Sequence, residues 1–251
     1  LLMVSTQVFP CPPPFYGGLE QVVFDLSYVL GQRGHQAAVL APAGSRGDGF
    51  TIIEGGQPSH GNPEGAAWEK VKDRLAQYDI IHNHGWGGHA YLHQIAHPEA
   101  RVLATLHGPD TFWTRPVDKP CFVAASNAHA AWLKAEREFT CRVVHHGVDL
   151  ARYPVQQKKD DYLLYLARVS YEKGAHHFVR LCQELGMKGL LAGEDIFVSD
   201  ALGYVRRVME ACAATAGQAC EGGAAPCRAA GAVAACTGWC PCAAGAHRPG
   251  S

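Results

Sequence analysis

Two cations in the sequence have the spacing of a phosphate-binding loop. Arg168 follows an apolar run, and Lys173 comes directly before Gly174 and a segment with helical periodicity. Arginine supplies a planar fork of donors and lysine a point charge, so the pair suits a diphosphate at the start of a helix. The alternative is that both side chains are solvated surface charges without a ligand.

A second candidate site lies near the start of the chain. Gly17 and Gly18 separate an apolar segment from one with helical periodicity. Paired glycines let the backbone approach a phosphate or a sugar closely, and the N-terminus of the helix adds free amide groups and positive potential. The segment does not contain the G-x-G-x-x-G pattern of dinucleotide-binding proteins. A plain turn is the alternative.

A third candidate is His107, which directly follows the apolar segment 102–106 and precedes Gly108. A histidine at the end of a strand can donate a hydrogen bond to a sugar hydroxyl, or stabilise a charge that develops during a reaction. The alternative is a loop histidine without a functional role.

The densest group of histidines lies between positions 82 and 93. We predict that His84 and Trp86 line an acceptor cleft, where the indole ring offers a flat face to a sugar. His89 and His93 lie four residues apart on a predicted helix, which is also metal-ligand spacing. Because the segment has neither a cysteine nor an H-E-x-x-H pattern, we predict no metal site, and a metal-binding histidine cluster is the alternative.

Strands predicted from apolar runs alternate along the chain with helices predicted from a period of 3.6 residues. This alternation indicates an α/β fold with a parallel sheet, whose ligands bind at the carboxyl ends of the strands. The predicted strands cover residues 2–8, 36–40, 79–82, 101–106, 121–125, 141–145, 162–167 and 188–192. The predicted helices cover residues 19–30, 68–78, 89–96, 128–138 and 174–185. The candidate residues follow these strands directly.

The alternation begins again after a polar, hinge-like segment at 149–161. We predict an N-terminal Rossmann-like domain over residues 1–150 and the beginning of a second Rossmann-like domain over residues 151–210. The second segment is short, since a domain usually has about 100–150 residues.

The composition changes at residue 211. From Ala211 to Ser251 there are fifteen Ala, seven Gly and six Cys, and no Leu, Ile, Phe or Tyr, so we do not expect this tail to extend a core. A disordered tail is one interpretation. Translation in a wrong reading frame is the one we favour, because GC-rich leucine codons read one base late encode Trp or Cys. A third is a metal module formed from Cys220 or Cys227 with Cys236, Cys240, Cys242 and His247.

Charge and composition exclude several classes of protein. The 22 Lys and Arg residues and the 23 Asp and Glu residues give a net charge of −1, so no global basic field would hold nucleic acid. No apolar stretch approaches the ~20 residues of a membrane span, which leaves only peripheral membrane contact open. The first four cysteines are isolated, as in a reducing compartment, and we expect a cytoplasmic location.

Taken in order, several short segments resemble the signatures of the GT4 (group 1) retaining glycosyltransferases over residues 2–210. They are YGGLE at 16–20, Gly34-His35, DIIHNHGW at 79–86, TLHG at 105–108, Ala125-Ser126, VVHHGVDLARY at 143–153 and YLARVSYEKG at 165–174. In the segment at 143–153, His146 replaces the Asn that is usual in this family.

The resemblance implies a GT-B fold of two Rossmann-like domains, and a hexosyltransferase-like enzyme that transfers a sugar with retention. The first domain would bind a sugar, lipid or small-molecule acceptor, and the second a UDP-, GDP- or ADP-sugar, with no cofactor and no metal. Gly17 and Gly18 would face the donor phosphates and His107 the transferred sugar. Arg168 and Lys173 would neutralise the leaving diphosphate.

One departure from the family is the E-x7-E element that binds the donor sugar, which the resemblance predicts beyond residue 210 and which the sequence there does not contain. We therefore expect impaired activity, and a non-catalytic carbohydrate- or nucleotide-binding remnant is an alternative. A metal-binding protein using the histidines or the cysteines is another. An incomplete second domain would also leave apolar strands uncovered, which predicts self-association.

Overall fold

A computed structural model describes residues 1–14, 16–61, 63–108, 121–138, 140–153, 155, 157–193, 203–217 and 233–236. The chain divides into two compact units, Leu1–Pro154 and Val155–Ser251. The sequence places the domain boundary between residues 150 and 151, four residues before the division between these units.

The first unit contains a seven-stranded parallel sheet with the order β3-β2-β1-β4-β5-β6-β7. Its strands are β1 Leu2–Val4, β2 Ala38–Ala41, β3 Thr51–Glu54, β4 Ile81–Asn83, β5 Val102–Leu106, β6 Cys121–Ala124 and β7 Cys141–Val143. Its α-helices are α1 Gly18–Gln32, α2 Glu64–Glu69, α3 His89–Ala96 and α4 Asn127–Arg137. Short 3-10 helices cover Lys72–Gln77 and Leu150–Arg152.

Apolar residues on both faces of the central strands explain why this sheet is parallel and covered on both sides. Leu2 and Met3 are adjacent on β1, and therefore face opposite sides, yet both are completely buried. Leu2 packs in a core with Trp68 and Val71, while Met3 packs in another core with Val23 of α1. The carboxyl ends of all seven strands consequently lie along one edge of the sheet.

The predicted α/β fold is confirmed, and the differences are local. The strand predicted over residues 2–8 ends at Val4, after which come three buried polar residues, Ser5, Thr6 and Gln7. The helix predicted over residues 68–78 is divided into α2 and a 3-10 helix, since apolar spacings of three and four residues suit both helix types. The sequence pattern did not predict β3.

The second unit contains a three-stranded parallel sheet with the order β10-β9-β8. Its elements are β8 Leu163–Leu166, a 3-10 helix Tyr171–Lys173, α5 Ala175–Leu185, β9 Gly189–Ala192, α6 Tyr204–Gly217 and β10 Val233–Cys236. A core of Tyr165, Val179 and Leu191 joins the sheet to the helices.

The start of the predicted tail differs from the expectation drawn from composition. Helix α6 continues past Ala211 to Gly217, and Cys212 is buried against Val208 and Cys182. Alanine is the strongest helix former and cysteine packs as a small apolar side chain, so this composition can extend a core over a short distance. Strand β10 also lies within the predicted tail, whereas Cys220, Cys227, Cys240, Cys242 and His247 lie outside the described residues.

Thiol reactivity tests this extension of the core. Burial raises the pKa of Cys212 to about 11, whereas Cys121 is exposed. With N-ethylmaleimide at pH 8, we expect Cys212 to react at least about 100-fold more slowly than Cys121, because only the thiolate is nucleophilic. Peptide mass spectrometry after timed labelling measures both rates. In urea the two rates should converge, and equal rates in the native protein would contradict a buried Cys212.

Candidate active site

Four loops bring the candidate residues of the first unit to the carboxyl edge of its sheet. Gly17 and Gly18 follow β1, His84 follows β4, and His107 follows β5. His146, in the loop after β7, joins them because its ring stacks on that of His107, with a centroid distance of 5.0 Å and an interplanar angle of 15°. The parallel topology therefore assembles a row of imidazoles from three separate segments.

His107 is held from two sides. The Nε2 of His107 and the Nδ1 of His84 are 2.9 Å apart, which is hydrogen-bond distance, and His146 covers one face of the His107 ring. A further constraint acts on the next residue, since the Nε2–H of His129 donates to the carbonyl oxygen of Gly108 at 2.9 Å. The His107-Gly108 turn is thus fixed through its side chain and through its backbone.

The position of His129 follows from the start of α4. The Ser126 hydroxyl accepts a hydrogen bond from the His129 backbone N–H at 3.1 Å, which is ordinary capping of a helix N-terminus. This cap places the His129 ring one turn into the helix, beside the loop that follows β5. The predicted Ala125-Ser126 signature therefore has a structural role in holding the His107 loop.

His84 does not line a cleft, contrary to the sequence prediction. Its side chain is buried, with only 1% of the residue exposed, and it lies behind His107. The ring of His82 packs against it with a centroid distance of 4.0 Å, and the His82 Nε2 lies 2.8 Å from the Thr105 hydroxyl. Residues directly after a central strand point into the protein when helices cover the sheet, so His84 supports the site and is not in contact with solvent.

Burial keeps these imidazoles uncharged. It lowers the pKa of His107 to about 3 and that of His82 to about 4, with the charge of His146 a second cause for His107. Burial also lowers the pKa of His84 well below its ordinary value, and that of His146 to a smaller extent. His107 is therefore a neutral hydrogen-bonding group at physiological pH, and not a fixed cation.

Trp86, the second residue predicted for the acceptor cleft, lies in a loop that Glu64 organises. The Glu64 carboxylate accepts hydrogen bonds from the backbone N–H groups of Trp86, at 2.7 Å, and Gly87. A Cβ atom at Gly85 would lie 2.7 Å from a Glu64 oxygen, so a larger residue there would displace the Glu64 carboxylate. The Trp86 residue remains 38% exposed.

Glu64 is the residue of this site that sequence reasoning missed. It is a buried acidic residue at the first position of α2, where the helix dipole favours a negative charge. Pro63 before it was a usable signal for a helix start, but no pattern linked this position to a loop more than twenty residues away.

The i, i+4 histidine pair has a packing role. His89 stacks on the Trp68 ring at an interplanar angle of 24°, and His93 contacts the same ring edge to face. Among the described residues there is no group of three or more His, Cys, Asp or Glu side chains that could hold a metal ion.

Gly17 has a backbone conformation that favours glycine, with φ at +148°. A Cβ atom there would lie 2.6 Å from the Pro13 Cβ and 2.9 Å from a Glu20 oxygen, whereas Gly18 faces open space. Glu20 is buried, accepts a hydrogen bond from the Thr6 hydroxyl, and has a pKa that burial raises. An anion at this helix start would meet open backbone at Gly18 and a carboxyl group with a reduced tendency to ionise.

Arg168 and Lys173 both lie in the second unit, at the carboxyl end of β8 and at the start of α5. The Nη2 of Arg168 lies 3.1 Å from the Glu172 carboxylate, and its backbone carbonyl accepts a hydrogen bond from the Tyr165 hydroxyl at 2.6 Å. Lys173 is exposed on the 3-10 helix, and Gly174 has a φ of +73° at the N-cap of α5. Both cations therefore precede the start of α5 in the chain, as their spacing predicted.

The family profile described as Glycosyltransferase Family 4 matches residues 16–152, more than half of the chain. The chain belongs to this family of glycosyltransferases, and the resemblance inferred from the sequence motifs is confirmed. The match ends within the first unit, so it covers Gly17, His84, Trp86 and His107 but not Arg168. Within the part that the structure describes, no helix is both long and apolar enough to cross a membrane.

Relatives agree with this assignment. The glycogen synthases of two Mycobacterium tuberculosis strains are 25% identical to it, over 70% of this chain and 56% of theirs. The crystal structure of AviGT4, a glycosyltransferase involved in avilamycin A biosynthesis, matches with a TM-score of 0.58 and 23% identity, over 83% of this chain and 60% of AviGT4. Anabaena HepE, solved in complex with UDP, matches with a TM-score of 0.55 and 19% identity, over 85% and 65%.

These solved structures share the fold of this chain, which confirms the predicted GT-B class. The chain spans just over half the length of the curated relatives it matches. The activity, the substrates and the partners of the whole protein are therefore matters for proposal.

The buried histidines predict an acid-sensitive fold. In the unfolded chain each has a pKa near 6.5, so acidification protonates the unfolded state first and stability falls as pH drops below that value toward 4. At pH 5.5 we expect a loss of about 1 kcal/mol for each of His82 and His84 relative to pH 7.5. Urea unfolding at several pH values measures it.

The contribution of a single histidine can be separated with a matched pair of variants. A buried, neutral His84 takes up a proton only when the chain unfolds. As the pH is lowered from 7.5 to 5.5, the number of protons taken up on unfolding should therefore rise by about one less in His84→Met than in the wild type. Gln94→Met replaces a buried polar side chain that does not titrate and should leave the proton uptake on unfolding unchanged. The same pH dependence in wild type and His84→Met would contradict a neutral, buried His84.

Proposed function

We propose that this chain provides the acceptor side and part of the donor side of a retaining glycosyltransferase. The enzyme transfers a sugar from a nucleotide sugar to a sugar, lipid or small-molecule acceptor. The observation that carries the proposal is the neutral His107, which two other histidines hold at the carboxyl end of β5 in a chain of Glycosyltransferase Family 4.

A neutral His107 suits the charges that develop in glycosyl transfer. Positive charge builds on the anomeric carbon as the bond to the leaving phosphate breaks, so a nearby cation would raise the barrier. A neutral imidazole instead supplies one directed hydrogen bond to a hydroxyl of the transferred sugar and orients it. The low pKa of His107 keeps the ring in this form across the physiological range.

Arg168 and Lys173 are proposed to stabilise the leaving group. Negative charge accumulates on the departing diphosphate, and a guanidinium fork together with an ammonium group would stabilise it. Arg168 is already paired with Glu172, so binding of a diphosphate requires an exchange of partners. Glu172 is exposed and can return to water, which keeps the cost of that exchange small.

Gly17 and Gly18 are proposed to face the donor phosphates. Support comes from the open space beside Gly18 and from the helix N-terminus that begins there. His84 acts behind His107, and Trp86 is the remaining candidate for stacking against an acceptor sugar, since its ring is partly exposed. No metal and no cofactor are part of the proposed reaction.

The choice of donor and acceptor follows the relatives. HepE was solved with UDP, which favours UDP over GDP or ADP as the donor nucleotide. The curated relatives are named glycogen synthase, which favours a hexose as the transferred sugar and a carbohydrate as the acceptor.

A cytoplasmic location and self-association of the chain are also part of the proposal. The described Cys11, Cys121, Cys141, Cys182 and Cys212 are free thiols, which supports a reducing, cytoplasmic location. Strand β8 exposes Leu164 and Leu166, which supports self-association through an uncovered apolar surface.

Nucleotide binding tests the role of Arg168. We expect Arg168→Ala to weaken UDP binding by about 10–100-fold in calorimetry, because a charge-assisted bidentate contact contributes about 1.5–3 kcal/mol. Arg180→Ala is a matched control, since Arg180 also pairs with a glutamate four residues on, in the same unit. Equal losses in both variants would contradict a specific phosphate contact.

The release of UDP from UDP-glucose in the presence of a glucan acceptor tests catalysis. We expect His107→Ala to lower the rate by about 100-fold relative to wild type, while His145→Ala stays at the wild-type rate. A wild-type chain that binds UDP but releases none from the donor would support the alternative of a non-catalytic nucleotide-binding remnant.

A further inference from the structure

The pair formed by His84 and His107 leads to an inference about a residue that has no direct contact with a substrate. We propose that His84 is a positioning residue, which keeps the proton of the His107 ring on Nδ1 and thereby makes His107 a hydrogen-bond donor. The statement about the proton rests on this structure alone. Only its use, donation to a sugar hydroxyl, rests on the proposed function.

A single hydrogen bond joins the two rings. The His84 Nδ1 and the His107 Nε2 lie 2.9 Å apart, and one proton must lie between them. In the first arrangement His84 donates from Nδ1, which leaves His107 protonated at Nδ1. In the second arrangement His107 donates from Nε2, which leaves its Nδ1 as a bare acceptor and moves the His84 proton to Nε2.

The surroundings of His84 distinguish the two arrangements. Its Nε2 is completely buried and has no hydrogen-bond partner among the described residues. The second arrangement would bury an N–H without an acceptor, whereas the first leaves only a lone pair unpaired. Buried donors without a partner are rarer than buried acceptors without one, and each costs about 1–3 kcal/mol. The first arrangement is therefore favoured.

A doubly protonated His84 is not a third arrangement. A cation there would be completely buried and would face the imidazoles of His82, His107 and His146, from the ends of β4, β5 and β7. Burial and these neighbours together hold the pKa of His84 well below its ordinary value. The His82 Nε2 pairs with the Thr105 hydroxyl, so His82 does not compete with His107 for the His84 Nδ1 proton.

The consequence for His107 is a fixed polarity. Its Nε2 is occupied by His84, and its Nδ1 makes no hydrogen bond to another residue within the described ranges. With the proton on Nδ1, His107 can donate to an oxygen but cannot accept from a hydroxyl. A neutral histidine in water has both tautomers, so this polarity originates in the buried partner.

Nitrogen-15 NMR of the histidine side chains tests the proposal in the full chain. Protonated and bare imidazole nitrogens have well separated shifts, and the spectrum of a His107→Asn variant identifies the His107 signals. In the wild type we expect a protonated Nδ1 and a bare Nε2 for His107. A protonated Nε2 would overturn the proposal without any reference to sugar transfer.

Two variants test whether His84 is the cause. His84→Asn keeps a side-chain N–H near the position of Nδ1, and we expect His107 to keep its proton on Nδ1. His84→Ala removes the donor and leaves a polar space that a water molecule can fill. Water can accept from Nε2 as well as donate to it, so we expect the His107 proton to be shared between Nδ1 and Nε2. A proton that stays wholly on Nδ1 in His84→Ala would overturn the proposal. If His84→Ala does not fold, the wild-type spectrum and His84→Asn still decide it.

The same variants separate this proposal from the proposed function. We expect His84→Ala to reduce UDP release from UDP-glucose by at least about 10-fold, since one oriented hydrogen bond is lost, and His84→Asn to restore most of the rate. If the tautomer changes as expected but the rate does not, the use of the Nδ1 proton in transfer is overturned. A wild-type chain with the Nδ1 proton but without any transfer activity would contradict only the proposed function.

Discussion

The structure of the site depends on one constraint, which is that imidazole rings buried at the edge of a parallel sheet must stay uncharged and share their few hydrogen bonds. His84 lies behind His107, His82 packs against His84, and His146 covers His107. Ionising His82, His84 or His107 would add a charge to a group from which water is largely excluded. The neutral state of the cluster thus makes His107 a directional hydrogen-bonding group.

The loops around this cluster are held by contacts that join distant segments of the chain. Glu64 at the start of α2 holds the Trp86 loop, and His129 in α4 holds Gly108. Both contacts satisfy backbone groups that a loop would otherwise expose to water or leave unpaired. The loops that carry Trp86 and His107 are therefore positioned by residues of the helices that cover the sheet.

In the second unit, contacts between residues close in the chain position Arg168 and Lys173. A left-handed Gly174 ends the 3-10 helix that carries Lys173 and begins α5, and the Tyr165 hydroxyl fixes the backbone of Arg168. An ion pair with Glu172 helps to position the guanidinium. Because Glu172 is exposed, its exchange for a competing anion would cost little, as the proposed phosphate contact requires.

The alternation of apolar runs and helical periodicity was sufficient to predict the class of fold. Helix α3 was predicted over its observed residues. All eight predicted strands match observed ones and differ only at their ends, most of all the first, which was predicted over residues 2–8 and ends at Val4. Strand β3 escaped prediction because Thr51–Glu54 is short and half exposed at the edge of the sheet, where packing leaves little trace in the pattern. The short motifs also placed His107 and Arg168 correctly at the ends of strands.

What the sequence by itself determined is the set of local elements and the family, because both are recorded in the spacing of neighbouring residues. Only the tertiary structure decided that His84 is buried, that Glu64 belongs to the site and that Cys212 extends a core. Each of these facts depends on a contact between segments far apart in the chain. Burial and hydrogen bonding arise only when the chain has folded, so residue type and spacing alone did not determine them.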